Sequence, residues 1–168
     1  MGFKGKSITT GSGYFADVGV CRPVSRGSLT LSSSDPRVAP NIDLGVLKEE
    51  QDIQILIGGF RRLRELLDKA PMGDSRAPEV YPGAAVSSDD EITEHIRARS
   101  GTAYHPVGTL AMGEQGTPVT NTLQLRDVDG LWVADASVMP SITSANTNAP
   151  SMMIGHRAAK LILREVKY

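Results

Sequence analysis

Two stretches of this chain carry residue types that could do chemistry. The first is Tyr104-His105-Pro106-Val107-Gly108-Thr109. Pro106 bars His105 from a helix and favours extended backbone, and Gly108 lets another group approach closely. A histidine on rigid, irregular backbone is one way to present a general base, because an imidazole exchanges a proton near neutral pH. On this motif alone, an ordinary packing or surface histidine is the alternative. The second stretch is Leu131 to Gly155, LWVADASVMPSITSANTNAPSMMIG. The apolar run Leu131 to Ala134 stops at Asp135, as a buried strand would, and small polar residues follow. Asn148-Ala149-Pro150 then precedes a periodic apolar tail. An Asn side chain can cap free amides and Pro is tolerated in a first turn, so the pattern predicts strand, polar loop, helix. The positive end of that helix suits an anionic group or an electron-rich ring edge. A plain strand-loop-helix connection is the alternative.

Other candidates lose on context. Gly11-Ser12-Gly13-Tyr14-Phe15-Ala16 has the spacing of a dinucleotide fingerprint with Ala in third place. That motif needs a strand before it and a helix after it, whereas Val18 to Cys21 reads as a strand, so the stretch is assigned to a loop. Arg61, Arg62 and Arg64 read as a solvated helix face rather than an anion site. His95 reads as a packing or surface histidine, and His156 has no second ligand at metal spacing, so no metal site is expected. No Gly-x-Ser-x-Gly occurs, which leaves a hydrolase without its nucleophile elbow.

The elements that must position these residues follow from periodicity. Val18 to Cys21 and Gly27 to Ser32 alternate as two half-buried strands would. Asp35-Pro36 and Ala39-Pro40 favour turns or extended backbone. From Leu47 to Ala70 the apolar residues Ile53, Leu56, Ile57, Phe60, Leu63 and Leu67 recur at helical steps, and Gly58-Gly59 within them points to close packing or a bend. Pro71 to Ala85 reads as loop. Ser87-Ser88-Asp89-Asp90-Glu91 starts a short helix carrying Ile92 and Ile96 and ending near Gly101. Glu114 to Asn121 is a polar excursion before a strand at Leu123 to Arg126, and Asp129-Gly130 turns into Leu131.

Composition narrows the class. Lys and Arg total 18 against 19 acidic residues, a net charge of −1, so the clustered positive face that nucleic acid would want is not expected. Hydrophobic residues make up 40%, as in soluble globular proteins. The single cysteine, Cys21, excludes an internal disulfide. The N-terminus has no apolar core long enough for a secretory signal, and Lys6 stands where myristoylation wants a hydroxyl residue. No segment approaches a membrane span. A cytoplasmic protein is the expectation.

Taken together, YHPVGT with a following MG, GLWVADASVMP, NTNAPSMMIG and the closing RAAKLI resemble the C-terminal end of glucose-methanol-choline oxidoreductases. The branch most resembled is that of choline dehydrogenases and bacterial alcohol dehydrogenases. RPVSRGSLTLSSSDPRVAPNID resembles the start of that family's substrate domain, so the likeness runs from about Val20 to Lys160. It implies an α+β fold: a substrate-binding domain with a largely antiparallel sheet and flanking helices, plus the last strand and helix of an FAD-binding domain. Residues 1–16 would be a loop-rich segment, 17–130 the substrate-binding domain and 131–168 the strand, loop and helix of the flavin domain.

The resemblance also implies a flavin enzyme that oxidises the CH–OH group of a small-molecule alcohol. The base of the HPVGT motif falls on His105, and the residue that shares the alcohol oxygen with it falls on Asn146. Asp135 and Ala136, with Asn148, Ala149 and Pro150, match positions lining the FAD. Leu110 and Ala111 stand where the family often has Cys and then a basic residue, and His156 where it commonly has Glu. The family's N-terminal GxGxxG unit for the ADP half of FAD has no counterpart here. The expectation is therefore a fragment, or one half of a split enzyme whose N-terminal FAD-binding half lies elsewhere. A non-catalytic remnant or partner-dependent module is the alternative.

Overall fold

The computed structural model describes residues 13–165. Gly11 and Ser12 of the fingerprint-like stretch, and the last three residues of the chain, lie outside the described residues. In chain order the elements are β1 (Ser28–Thr30), β2 (Asn41–Asp43), α1 (Glu50–Leu67), the single turn α2 (Met72–Ser75), α3 (Asp89–Arg99), a 3-10 turn at Ala136–Val138, and α4 (Asn148–Glu165).

Two apolar cores organise them. In the first, Ile53, Leu56 and Ile57 of α1 are buried against Ile92 and Ile96 of α3, with Val20, Leu47, Phe60 and Val86 around them. The spacings i, i+3, i+4 on one helix and i, i+4 on the other are what bring these side chains to a single stripe. Withdrawing each large aliphatic side chain from water is worth roughly 1.5–3 kcal/mol. Ser88 starts α3 with a reciprocal capping box: its Oγ accepts from the Glu91 N–H, and the Glu91 carboxylate accepts from the Ser88 N–H at 2.9 Å. Gly59 answers the question its position raised, because a Cβ there would fall 2.5 Å from Cγ2 of Val18. The residues ahead of β1 press directly on α1, and only a bare Cα leaves them room.

The second core is Val119, Leu123, Val138, Met139, Ile154 and Ala158. Ile154, Ala158 and the half-buried Leu161 recur at i, i+4, i+7 along α4, so this helix turns one face onto the 3-10 turn and onto residues 119–125.

A buried carboxylate ties the first core to the chain ahead of it. Asp52, 1% exposed, accepts from the N–H groups of Val24 and Ser25, both at 2.9 Å. Burial by itself pushes its pKa up. The Ser25 hydroxyl, the two amides and nearby Arg26 together outweigh that and hold the carboxyl below its usual range.

α1, α3 and α4 sit where periodicity put them, and β1 lies within the expected Gly27 to Ser32 strand, but the single turn α2 falls in a stretch expected to be loop and the other expected strands do not form as ladders. Instead of a largely antiparallel sheet, the described residues form one two-stranded antiparallel pair, Leu29 opposite Ile42, with isolated bridges at Met112–Val119, Val119–Leu125 and Gln124–Trp132. Val18 to Cys21 is irregular, because Val18 and Val20 spend their side chains on α1 rather than their backbone on a neighbouring strand. Leu131 to Ala134 is not a buried strand either. It pairs on one side only, through Leu125 N–H to Leu131 O and Val133 N–H to Leu123 O, both 2.9 Å, and Leu131 is exposed. A strand buried on both faces needs neighbours on both edges, and among the described residues there is one.

Candidate active site

His105 lies on an extended loop set by unusual backbone on either side. Tyr104 occupies the left-handed region at φ +64°, where its N–H reaches Thr102 Oγ1 at 2.9 Å. Gly108 stands at φ +89°, and a Cβ there would press to 3.2 Å from the Met139 carbonyl. Side chains other than Gly pay for such a conformation, so the HPVG segment can hug the 3-10 turn only with glycine at this place. Beyond it, Leu110 N–H donates to Ser137 O at 3.1 Å and Met112 N–H to Val138 O at 2.8 Å. These two bonds lay the histidine loop alongside the ADAS segment.

The imidazole then reaches the start of α4. Nδ1 of His105 lies 2.9 Å from Oγ1 of Thr147, the residue just before the helix. Thr147 is 8% exposed, and its carbonyl accepts from both the N–H and the Oγ of Ser151, at 2.9 and 2.7 Å. Its neighbours Asn146, Asn148 and Ala149 are exposed, while Pro150 and His105 are half-buried. The structure thus carries His105 to the residue between the two asparagines. Among the described residues, its Nε2 meets no hydrogen-bonding partner. The loop ahead of Asn146 is held by Arg22, whose Nε donates to Ser144 Oγ at 2.6 Å.

The helix start differs from expectation by one position. Asn148 is the first residue of α4 rather than its cap, and Thr147 occupies the cap. Pro150 falls third in the helix and has no N–H, so the donor that a capping oxygen usually meets there is missing. Asp135 caps the 3-10 turn and Ala136 is its first residue. The Asp135 carboxylate accepts from both the N–H and the hydroxyl of Ser137, which hold it below the usual carboxylate range. It is exposed, and it caps the turn that presses Val138 and Met139 into the second core.

Two residues that shape this site carry no motif of their own. Thr147 was hidden because a threonine before Asn-Ala-Pro looks like filler; the missing N–H at Pro150 is the signal that its hydroxyl is free for another task. Arg126, read as the end of a strand, donates to the carbonyls of Thr117, Gly113 and Glu114 at 2.8, 2.9 and 3.0 Å and pins that turn under the site's core. Two open surface hollows lie elsewhere: one is bounded by Arg64, Arg76 and Glu79, another by Thr117, Leu125 and Arg126. Among the described residues no group of three or more His, Cys, Asp or Glu side chains is placed to hold a metal ion, and no helix is long and apolar enough to cross a membrane.

The site thus gathers an imidazole with one nitrogen unpartnered among the described residues, an exposed carboxamide one residue from its anchor, and an exposed helix N-terminus. Residues 23–155 match the GMC oxidoreductase family model. The chain belongs to the GMC oxidoreductase family.

It is 41% identical over 163 residues to an alcohol dehydrogenase [acceptor] of Pseudomonas putida, covering 96% of this chain and 30% of that protein. It is 37% identical over 166 residues to an oxygen-dependent choline dehydrogenase of Photobacterium profundum, covering 97% of this chain and 29% of the relative. Among solved structures, an Aspergillus oryzae formate oxidase studied for its FAD modification superposes with a TM-score of 0.81 at 31% identity, over 87% of this chain and 26% of that one. The chain thus spans about 30% of the length of the curated relatives it matches.

Proposed function

We propose that this chain is the C-terminal portion of an FAD-dependent oxidoreductase acting on the CH–OH group of a small-molecule alcohol, with His105 as general base. The observation that carries the reading is the 2.9 Å contact between His105 Nδ1 and Thr147, the residue next in sequence to Asn146, which leaves Nε2 without a partner among the described residues. On this reading residues 17–130 bind substrate, and 131–168 supply the last strand and helix of the flavin domain, whose ADP-binding half belongs to the rest of a longer enzyme.

The chain's residues fit FAD. The start of α4 is open, with Asn148 and Ala149 exposed, and its free amides and positive dipole end favour an electron-rich group. Trp132 Nε1 is buried with no partner among the described residues, a donor that a completed flavin domain would satisfy. Asp135, Ala136, Asn148, Ala149 and Pro150 would line the FAD. When bound, FAD supplies the acceptor for the hydride that leaves the alcohol carbon.

His105 takes the hydroxyl proton at Nε2 as the carbon–hydrogen bond breaks, so the product is a carbonyl and the proton rests on the imidazole. Asn146 donates from its amide to the alcohol oxygen, a bond that strengthens as negative charge builds there. The Thr147 contact and the Ser151 bonds to the Thr147 carbonyl hold the His105 imidazole at the start of α4, next in sequence to Asn146.

The test is flavin reduction by an alcohol in the longer polypeptide that joins this chain to an N-terminal half of the kind its relatives carry. His105→Ala is expected to slow that step by roughly a hundred- to ten-thousandfold. Equal rates for variant and wild type would remove His105 as the base.

A further inference from the structure

We infer that Thr147 is a positioning residue that sets the tautomer of His105, accepting from Nδ1–H so that Nε2 presents its lone pair to the alcohol. This rests on the reading of His105 as the base. A threonine at a helix cap ordinarily turns its oxygen to an N–H in the first turn, and the third-position N–H does not exist here. The hydroxyl is nevertheless buried, at 8% exposure for the residue, and a buried hydroxyl needs a partner. The partner the structure provides is Nδ1 of His105, 2.9 Å away and 42 residues distant in sequence.

Rotation of Thr147 is restricted twice over. Its side chain is β-branched, with few allowed rotamers. Its carbonyl is held by the N–H and hydroxyl of Ser151. The oxygen therefore stays where the imidazole meets it.

A contact of this length admits two proton arrangements. If Thr147 donates, Nε2 carries the hydrogen and has nothing with which to accept the alcohol's proton. If Nδ1–H donates, Nε2 is the free base. A neutral imidazole in water favours the form with hydrogen on Nε2, so a protein that needs the opposite form must supply an acceptor at Nδ1. The Thr147 oxygen is the acceptor in place, much as outer groups fix the ring orientation of metal-bound histidines.

The experiment is nitrogen-15 NMR of the imidazole rings in this 168-residue chain above the histidine titration range. The chain contains three histidines, and a His105→Gln variant assigns the signal. Wild type is expected to hold hydrogen on Nδ1. Thr147→Val, nearly isosteric and without the oxygen, is expected to shift the tautomer ratio roughly fivefold toward the Nε2–H form. Thr147→Ser, which keeps the oxygen, is expected to restore the wild-type ratio. In the longer, flavin-bearing polypeptide, Thr147→Val is expected to lower kcat roughly tenfold, with KM little changed.

A wild-type His105 carrying its hydrogen on Nε2 overturns the proposal. So does a tautomer ratio that Thr147→Val leaves unmoved. The wild-type and Thr147→Ser spectra decide the matter even where the valine variant folds poorly. The two readings also fail separately: a His105→Ala enzyme that still reduces flavin removes the base and leaves the tautomer result standing, whereas an Nε2–H ring in an enzyme that needs His105 removes the role of Thr147 alone.

Discussion

At the scale of single residues, the site depends on polar groups that pair with backbone. His105 is aimed by one side-chain bond, and the turn behind it is capped by one carboxylate, Asp135. Asp52 does the same for the first core, with the amides of Val24 and Ser25 both donating to it at 1% exposure. Asp52→Asn keeps the shape but leaves an amide N–H2 where two backbone donors point. It should lower the unfolding free energy at pH 7 by about 1–3 kcal/mol, read by urea denaturation. The pH dependence has a definite sign. The folded carboxyl titrates below its unfolded value, so its stabilisation is complete above the unfolded pKa of about 3.9 and is lost as pH falls through the depressed folded one. The gap between wild type and Asp52→Asn should therefore be full at neutral pH and close in acid. A gap that persisted or widened in acid would show that shape, not charge, is what Asp52 contributes.

At the scale of elements, α3 is short and leans on its start. Its first turn carries Asp89, Asp90 and Glu91 at the positive end and its last carries Arg97 and Arg99 at the negative end. Ser88 and Glu91 satisfy two otherwise unpaired amides between them. Ser88→Ala should cost about 1 kcal/mol, seen as a lower Tm with the Ile92 and Ile96 packing unchanged. An unaltered Tm would mean that packing alone holds the helix. The helices were readable in advance because apolar residues three and four apart can face one way only if the chain is helical. The capping box was readable because Ser and Glu sit three apart just ahead of that stripe. Of the strands, Gly27 to Ser32 was readable and holds β1, whereas Val18 to Cys21 was not, since alternation over four residues also describes a loop whose every second side chain docks on a helix, as Val18 and Val20 do.

At the scale of the whole molecule, the two cores are small and each leaves an outer face uncovered. α4 buries Ile154 and Ala158 but exposes Met152 at 63%, Met153 at 59% and Leu163 at 65%. Leu131, at the head of the one-sided pairing, is exposed as well. Apolar side chains gathered on one helix face favour association. The 168-residue chain should therefore self-associate in dilute buffer, and a Met152→Gln, Met153→Gln double variant should move it toward monomer, measured by sedimentation velocity. An indifferent sedimentation profile would mean that this face does not drive association.

The Asn-Ala-Pro helix start and the positions of three helices follow from residue type and local spacing, because capping and periodicity act over a few residues at a time, whereas the roles proposed for His105 and Asn146 come from the family resemblance. What spacing could not say is which of those groups touch. The bond from His105 to Thr147 spans 42 residues and exists because Gly108 lets one loop press on the 3-10 turn while Pro150 withdraws the partner Thr147 would otherwise have had. Contacts of that kind are set by how two cores pack, and packing is a property of the folded chain as a whole.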